Sequence, residues 1–152
     1  MARKMSPTER AARDVLNKYV RDGHISRAEA NDTIRGGLHV AEGAVRAQYR
    51  DGGGSALYYG HKVAEAREEY EAARGELPRR MKRGRLLAAE MFAAVFAAVQ
   101  AEEGPREGEE LLTPEQAEAV MATARGAARE VPEEAAASAG GHTAPPSALS
   151  AA

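Results

Sequence analysis

Positions 86–99 read LLAAEMFAAVFAAV, apolar in every helical direction except at Glu90. A helix that is apolar all round has no face to offer water and must be surrounded by other elements. The segment therefore belongs at the centre of a helical bundle. Its 14 residues fall short of the ~20 that cross a bilayer, and one of them is charged. We read a buried core helix and expect no membrane partner.

A second pattern says what packs beside it. Ala56, Tyr59, Val63, Ala66, Tyr70, Ala73 and Leu77 follow one another at spacings of three and four, the spacing of a seam that fits a partner helix. Gly75 and Pro78 follow as turn residues. A helix over 55–74 and another over 78–103 then form an antiparallel hairpin, because the connection is short. The seam residues Tyr59, Val63 and Tyr70 have two possible uses: packing inside the chain, or joining two chains.

Shorter helices precede and follow the hairpin. Ser6-Pro7-Thr8-Glu9 and Ser26-Arg27-Ala28-Glu29 have the form of helix starts, with a capping hydroxyl and a glutamate three residues on. They open helices over 6–22 and from 26 to about 50. Gly36-Gly37 falls within the second and predicts a break or kink. Thr113-Pro114-Glu115-Gln116 opens a last helix ending near Val131-Pro132. The expected fold is an all-α bundle of five or six helices over 1–131, with a disordered Ala/Ser/Gly/Pro-rich tail over 132–152.

Composition limits the chemistry. Without cysteine there is no disulfide, thiolate nucleophile or cysteine metal site. Aromatic residues are 5% and tryptophan is absent, so the core is built on small side chains that each bury little area. Such a core needs many turns in contact, which favours a homo-oligomer or a protein partner. His61 with Glu65, and His39 with Glu42, share helical faces, but a metal site needs further ligands. Gly52-Gly53-Gly54-Ser55 has neither the preceding strand nor the following Lys-Ser/Thr of a phosphate loop. No catalytic signature is present. We expect a non-enzymatic protein with no catalytic residues, no cofactor and no metal. Glu90 is expected to pair with an arginine or a tyrosine hydroxyl.

Charge is unevenly spread. Residues 1–100 hold 18 Lys/Arg and 13 Asp/Glu, a balance of +5; residues 101–152 hold 3 and 10, a balance of −7. Arg79, Arg80, Lys82, Arg83 and Arg85 crowd the start of the 78–103 helix, where the helix dipole disfavours cations. One reading is a phosphate-binding site for nucleic acid, with Arg10 and Arg13 of the first helix assisting. The other is pairing across the hairpin with Glu68, Glu69 and Glu71.

The expected function is a small nucleic-acid-binding accessory protein of a bacterium, phage or mobile element. The alternative is a helical assembly or adaptor protein acting through the 56–77 seam. In architecture alone the outline resembles phage packaging or mobile-element accessory proteins, and no residue role follows from that. The polar start, with no secretory signal after it, points to the cytoplasm.

Overall fold

In the computed structural model the described residues are 4–139, with side chains described to position 128. They form six α-helices: α1 (Pro7–Arg21), α2 (Arg27–Thr33), α3 (His39–Arg50), α4 (Ala56–Ala72), α5 (Glu76–Glu103) and α6 (Pro114–Ala139). Contacts divide the chain into one unit ending at Met121 and another beginning at Ala122. The surfaces considered below all belong to the first.

The capping residues act as their chemistry dictates. Ser6 accepts from the Glu9 amide. Ser26 and Glu29 form a reciprocal capping box, and so do Thr113 and Gln116. Ser55 accepts from the Tyr58 amide. Each satisfies amide donors that a helix start leaves without partners.

The glycine pair does not break its helix. The chain stays helical from Arg27 through Arg50, and Gly36-Gly37 lies in a π-helical turn, Ile34–Leu38. One widened turn lets Ile34 and Leu38, at its two ends, both reach the core. Helix α6, expected to end near Val131-Pro132, continues to Ala139. The remainder of the expected tail, 140–152, lies outside the described residues.

The hairpin forms as expected, with a shifted start. Gly75 takes φ 88°, a conformation open to glycine, and α5 begins at Glu76, two residues before the expected position. Glu76 thus occupies the first turn, where the dipole favours an acid. The cations start at Arg79, in the second turn, so their conflict with the dipole is smaller than the sequence suggested.

Helices α1, α3 and α4 all pack on α5. Tyr59 of α4 meets Phe96 at 4.9 Å between ring centroids, and Tyr49 of α3 meets the same ring edge-on at 5.7 Å. Leu16, Val45, Val63, Val95, Phe96 and Val99 are buried together. Among the described residues, α5 is the one helix long and apolar enough to cross a membrane by length and composition. Helix α6 approaches α4 at Gly60, where a Cβ would lie 2.5 Å from the Ala117 carbonyl carbon, so only glycine fits there.

The three-glycine loop is closed by a residue that sequence reading passed over. The Arg106 guanidinium donates to the carbonyls of Tyr49 (3.2 Å), Gly53 (3.1 Å) and Gly54 (2.6 Å) and lies 4.4 Å from the Tyr49 ring centroid. It is held by Glu109, which also accepts from Gln100, a residue only 2% exposed. The Tyr49 hydroxyl donates to the Gly104 carbonyl. The Arg106 hydrogen bond, foremost, pulls the Glu109 carboxyl from 4.5 down to about 2. A depressed carboxyl stabilises the fold above its unfolded value and loses that contribution as pH falls through its folded value. The stability advantage of the native chain over Glu109→Gln should therefore be full at neutral pH and shrink from pH 4.5 toward about 2. Urea midpoints of the two proteins, measured across that range, should converge.

Candidate interaction surfaces

The basic start of α5 is largely engaged within the chain. Lys82 donates to Glu69 at 2.7 Å, and Arg85 reaches the same carboxylate at 3.8 Å. Arg79 lies 4.8 Å from the Tyr70 ring centroid and donates to the Ala73 carbonyl at 3.4 Å. Arg83 hydrogen-bonds the Tyr70 hydroxyl and lowers its pKa. Arg80 is exposed. Its charge adds to the effect of the Ser26 backbone and side-chain hydrogen bonds in lowering the Glu29 carboxyl. The hairpin thus places four of the five cations around Glu69 and Tyr70, and much of their charge is spent there.

Arg10 and Arg13 do not join this cluster. Asp14, Val15 and Lys18 of α1 line one cleft with Glu90, Ala93 and Ala94 of α5, and Tyr19 bonds Glu90, so the two helices run antiparallel. Arg10 then sits level with positions 97–98, about 27 Å from Arg80 along the helix at ~1.5 Å per residue. Arg10 is exposed, whereas Arg13 bonds Glu9 at 2.8 Å and Asn31 at 3.3 Å.

The seam on α4 is internal. Tyr59 and Val63 are 6% and 2% exposed, and Tyr70 packs against the core. These three residues hold α4 on α5 of the same chain and are covered before any partner arrives. Among the described residues no three His, Asp or Glu side chains are grouped to hold a metal. The Glu42 carboxylate beside His39 is taken by Thr8 and Arg46.

Glu90 gathers a polar network where α1, α4, α5 and α6 meet. It accepts from the Tyr19 hydroxyl at 2.5 Å and from Arg67 at 2.9 Å, with Lys18 at 3.8 Å. Arg67 also makes a two-pronged contact with Glu118. Burial, and then the Glu90 bond, push the Tyr19 phenol pKa up, while the Glu118 hydrogen bond does most to raise that of Arg67. A cleft of about 180 Å³ opens beside the network. Every charged group bonded in the network has an opposite charge or a hydroxyl against it, so its role is to fix the helices.

The opposite face of α5 is different. Leu77 is 66% and Met81 56% exposed, and Gly84 and Ala88 are exposed as well. A Cβ built on Gly84 meets nothing within 4 Å. At 100° per residue these four positions lie about 120–180° round the helix from Glu90. The same stripe continues through Phe92 to Val95 and Val99, which are buried where α3 packs on α5. Half of one apolar stripe is therefore covered and half is bare. The bare half runs into a groove of about 340 Å³ lined by Ala44 and Gln48 of α3, Tyr58 and Lys62 of α4, and Ala88 and Phe92 of α5. Tyr58 is 44% exposed and Val40, on α3, 69%. A helix apolar all round from position 86 onward is expected to be surrounded, and the exposed Ala88 departs from that. The signal for a bare stripe was the continuation of apolar and small residues back through Gly84, Met81 and Leu77.

The Glu90 network makes a direct prediction. Its side chain is 13% exposed, and Glu90→Ala leaves Tyr19 without its acceptor and Arg67 with one carboxylate in place of two. The expected loss is about 2–4 kcal/mol in chemical denaturation, with a smaller loss for Glu90→Gln, which keeps an acceptor for Tyr19. A loss below that of ordinary surface substitutions would remove the network from its structural role. No family model, curated protein or solved structure matches this chain.

Proposed function

We propose that this protein is a helical assembly or adaptor protein that works through protein–protein contact on the bare half of the α5 stripe. The observation that carries this reading is the apolar stripe of Leu77, Met81, Gly84 and Ala88, bare among the described residues and continuous with the groove beside Tyr58 and Phe92. Large apolar side chains aligned on one helix face are the pattern of helix-in-groove and helix-on-helix recognition. The contact surface thus shares only Leu77 with the 56–77 seam, whose Tyr59, Val63 and Tyr70 the chain uses for itself.

A photo-crosslinking residue placed at position 81 tests this in the cell that makes the protein. Position 81 should give a discrete protein adduct, and position 10, exposed on another face, should not. An unreacted chain at position 81 would overturn the reading.

The nucleic-acid reading keeps one supporting observation: Arg80 and Arg85 are exposed, Arg85 by 63% at its side chain, at the same end of the hairpin. Phosphate contact by so few cations gives weak binding that falls steeply with salt. A gel shift with duplex DNA at low ionic strength should show a complex that Arg80→Ala with Arg85→Ala abolishes. A complex indifferent to both substitutions, or none at all, removes this second reading.

A further inference from the structure

We infer that the occupant of the bare α5 stripe is an acidic amphipathic helix of a partner protein, lying along α5 from Leu77 to Phe92. The inference rests on the protein-contact reading above and adds the chemistry of the partner.

The shape of the surface asks for a helix. Leu77, Met81, Gly84, Ala88 and Phe92 are spaced four, three, four and four, so they form one line along the axis. The line is about 22 Å long at ~1.5 Å per residue, enough for four turns of a second helix. Gly84 and Ala88, at its middle, carry no side chain or only a methyl. A helix backbone can therefore come close there, with Leu77 and Met81 at one end and the Tyr58–Phe92 groove at the other taking its larger side chains. Open space around Gly84 shows that no segment among the described residues fills this place.

The charge of the rim says which helix. Lys62 stands beside the groove, 5.6 Å from the Tyr58 ring centroid. Arg80, Lys82 and Arg85 flank the stripe on α5. Against these four cations stand Glu65 and Glu69 of α4 and Glu76, one turn before Arg80 on α5, and Glu69 is already shared by Lys82 and Arg85. The rim is net positive, and a partner with carboxylates on both flanks of its apolar face complements it. A second copy of this chain fits less well. Gly84, the midpoint of the stripe, lies between Arg83 and Arg85. Arg80 and Arg85 lie on opposite flanks of the stripe, so two copies laid stripe to stripe bring Arg85 of one against Arg85 of the other when antiparallel and against Arg80 when parallel, and like charges at a contact disfavour it. Nucleic acid would meet the cations but leave Leu77 and Met81 with nothing apolar to bury against.

The experiment uses the whole chain and three fluorescent probes. One is a synthetic helix of about 18 residues with leucines spaced to match the stripe and glutamates on both flanks. The second has lysines in place of the glutamates, and the third is a DNA duplex of similar length. The acidic helix should bind at least about ten-fold more tightly than the basic one. Gly84→Leu and Met81→Glu, each at an exposed position, should weaken it by about ten-fold or more while leaving the thermal melt unchanged. Lys62→Glu with Arg85→Glu should erase the preference for the acidic helix. Equal binding of both helices, no binding of the acidic one, or preferential binding of the duplex would each overturn the inference. A dimer in sedimentation that Met81→Glu dissolves would also overturn it, yet would leave the protein-contact reading standing. Loss of the position 81 adduct in the cell is the result that removes the reading itself.

Discussion

One carboxylate orients the whole bundle. Glu90 sits in the middle of the most apolar stretch of the chain, where an ionised group without partners costs several kcal/mol. Tyr19 from α1 and Arg67 from α4 relieve that cost at 2.5 and 2.9 Å. Arg67 then draws in Glu118 from the start of α6. Sliding α5 by one turn, about 5.4 Å, or rotating it by one residue, would withdraw Glu90 from both donors. An all-apolar helix rich in alanine has many nearly equivalent ways to pack, and a single satisfied charge removes most of them. The same constraint decides what faces outward. With Glu90 turned toward α1 and α4, the stripe of Leu77, Met81, Gly84 and Ala88 must point away.

The hairpin tip shows how local charge is resolved before any partner is considered. Five cations near the start of a helix suggest a site for an anion. In the structure one carboxylate, Glu69, serves Lys82 and Arg85, and one ring, Tyr70, serves Arg79 and Arg83. The start of α5 at Glu76 also places an acid where the dipole asks for one. What remains is a modest positive field around an apolar stripe. That combination differs from a phosphate-binding surface, in which cations converge without apolar side chains between them.

Much of this was legible in the sequence because it is local. The caps at Ser6, Ser26 and Thr113 follow from hydroxyls at fixed offsets, and the α4 seam from its three–four spacing. Pairing of Glu90 with an arginine or a tyrosine hydroxyl follows from the cost of burying its charge, and the fold supplies both. The features that escaped depend on distant residues. Arg106 reads as an ordinary loop arginine, and only the fold brings it to the carbonyls of positions 49, 53 and 54. Gly36-Gly37 reads as a break or kink, yet a continuous helix with one π turn keeps Ile34 and Leu38 in the core. The bare stripe escaped for a related reason. Gly84 and Ala88 look like residues for close packing, and a sequence does not say how far α3 extends along α5. At 12 residues α3 spans about 18 Å of a helix about 42 Å long, so it covers only part.

The energetics of the bare stripe set the kind of contact it can make. Full burial of a leucine or methionine gains about 1.5–3 kcal/mol, and Leu77 and Met81 have about half or more of that still to gain, being 66% and 56% exposed. Association itself costs roughly 4–15 kcal/mol in lost freedom of motion. Two side chains do not offset this, so a partner has to reach the Tyr58 groove and Val40 as well, or add charge contacts along the rim. The surface is therefore suited to a long helix engaging its full length and poorly suited to a short motif touching one end. Removing any one anchor should then weaken the contact sharply, because the contact stands only a little above its entropic cost.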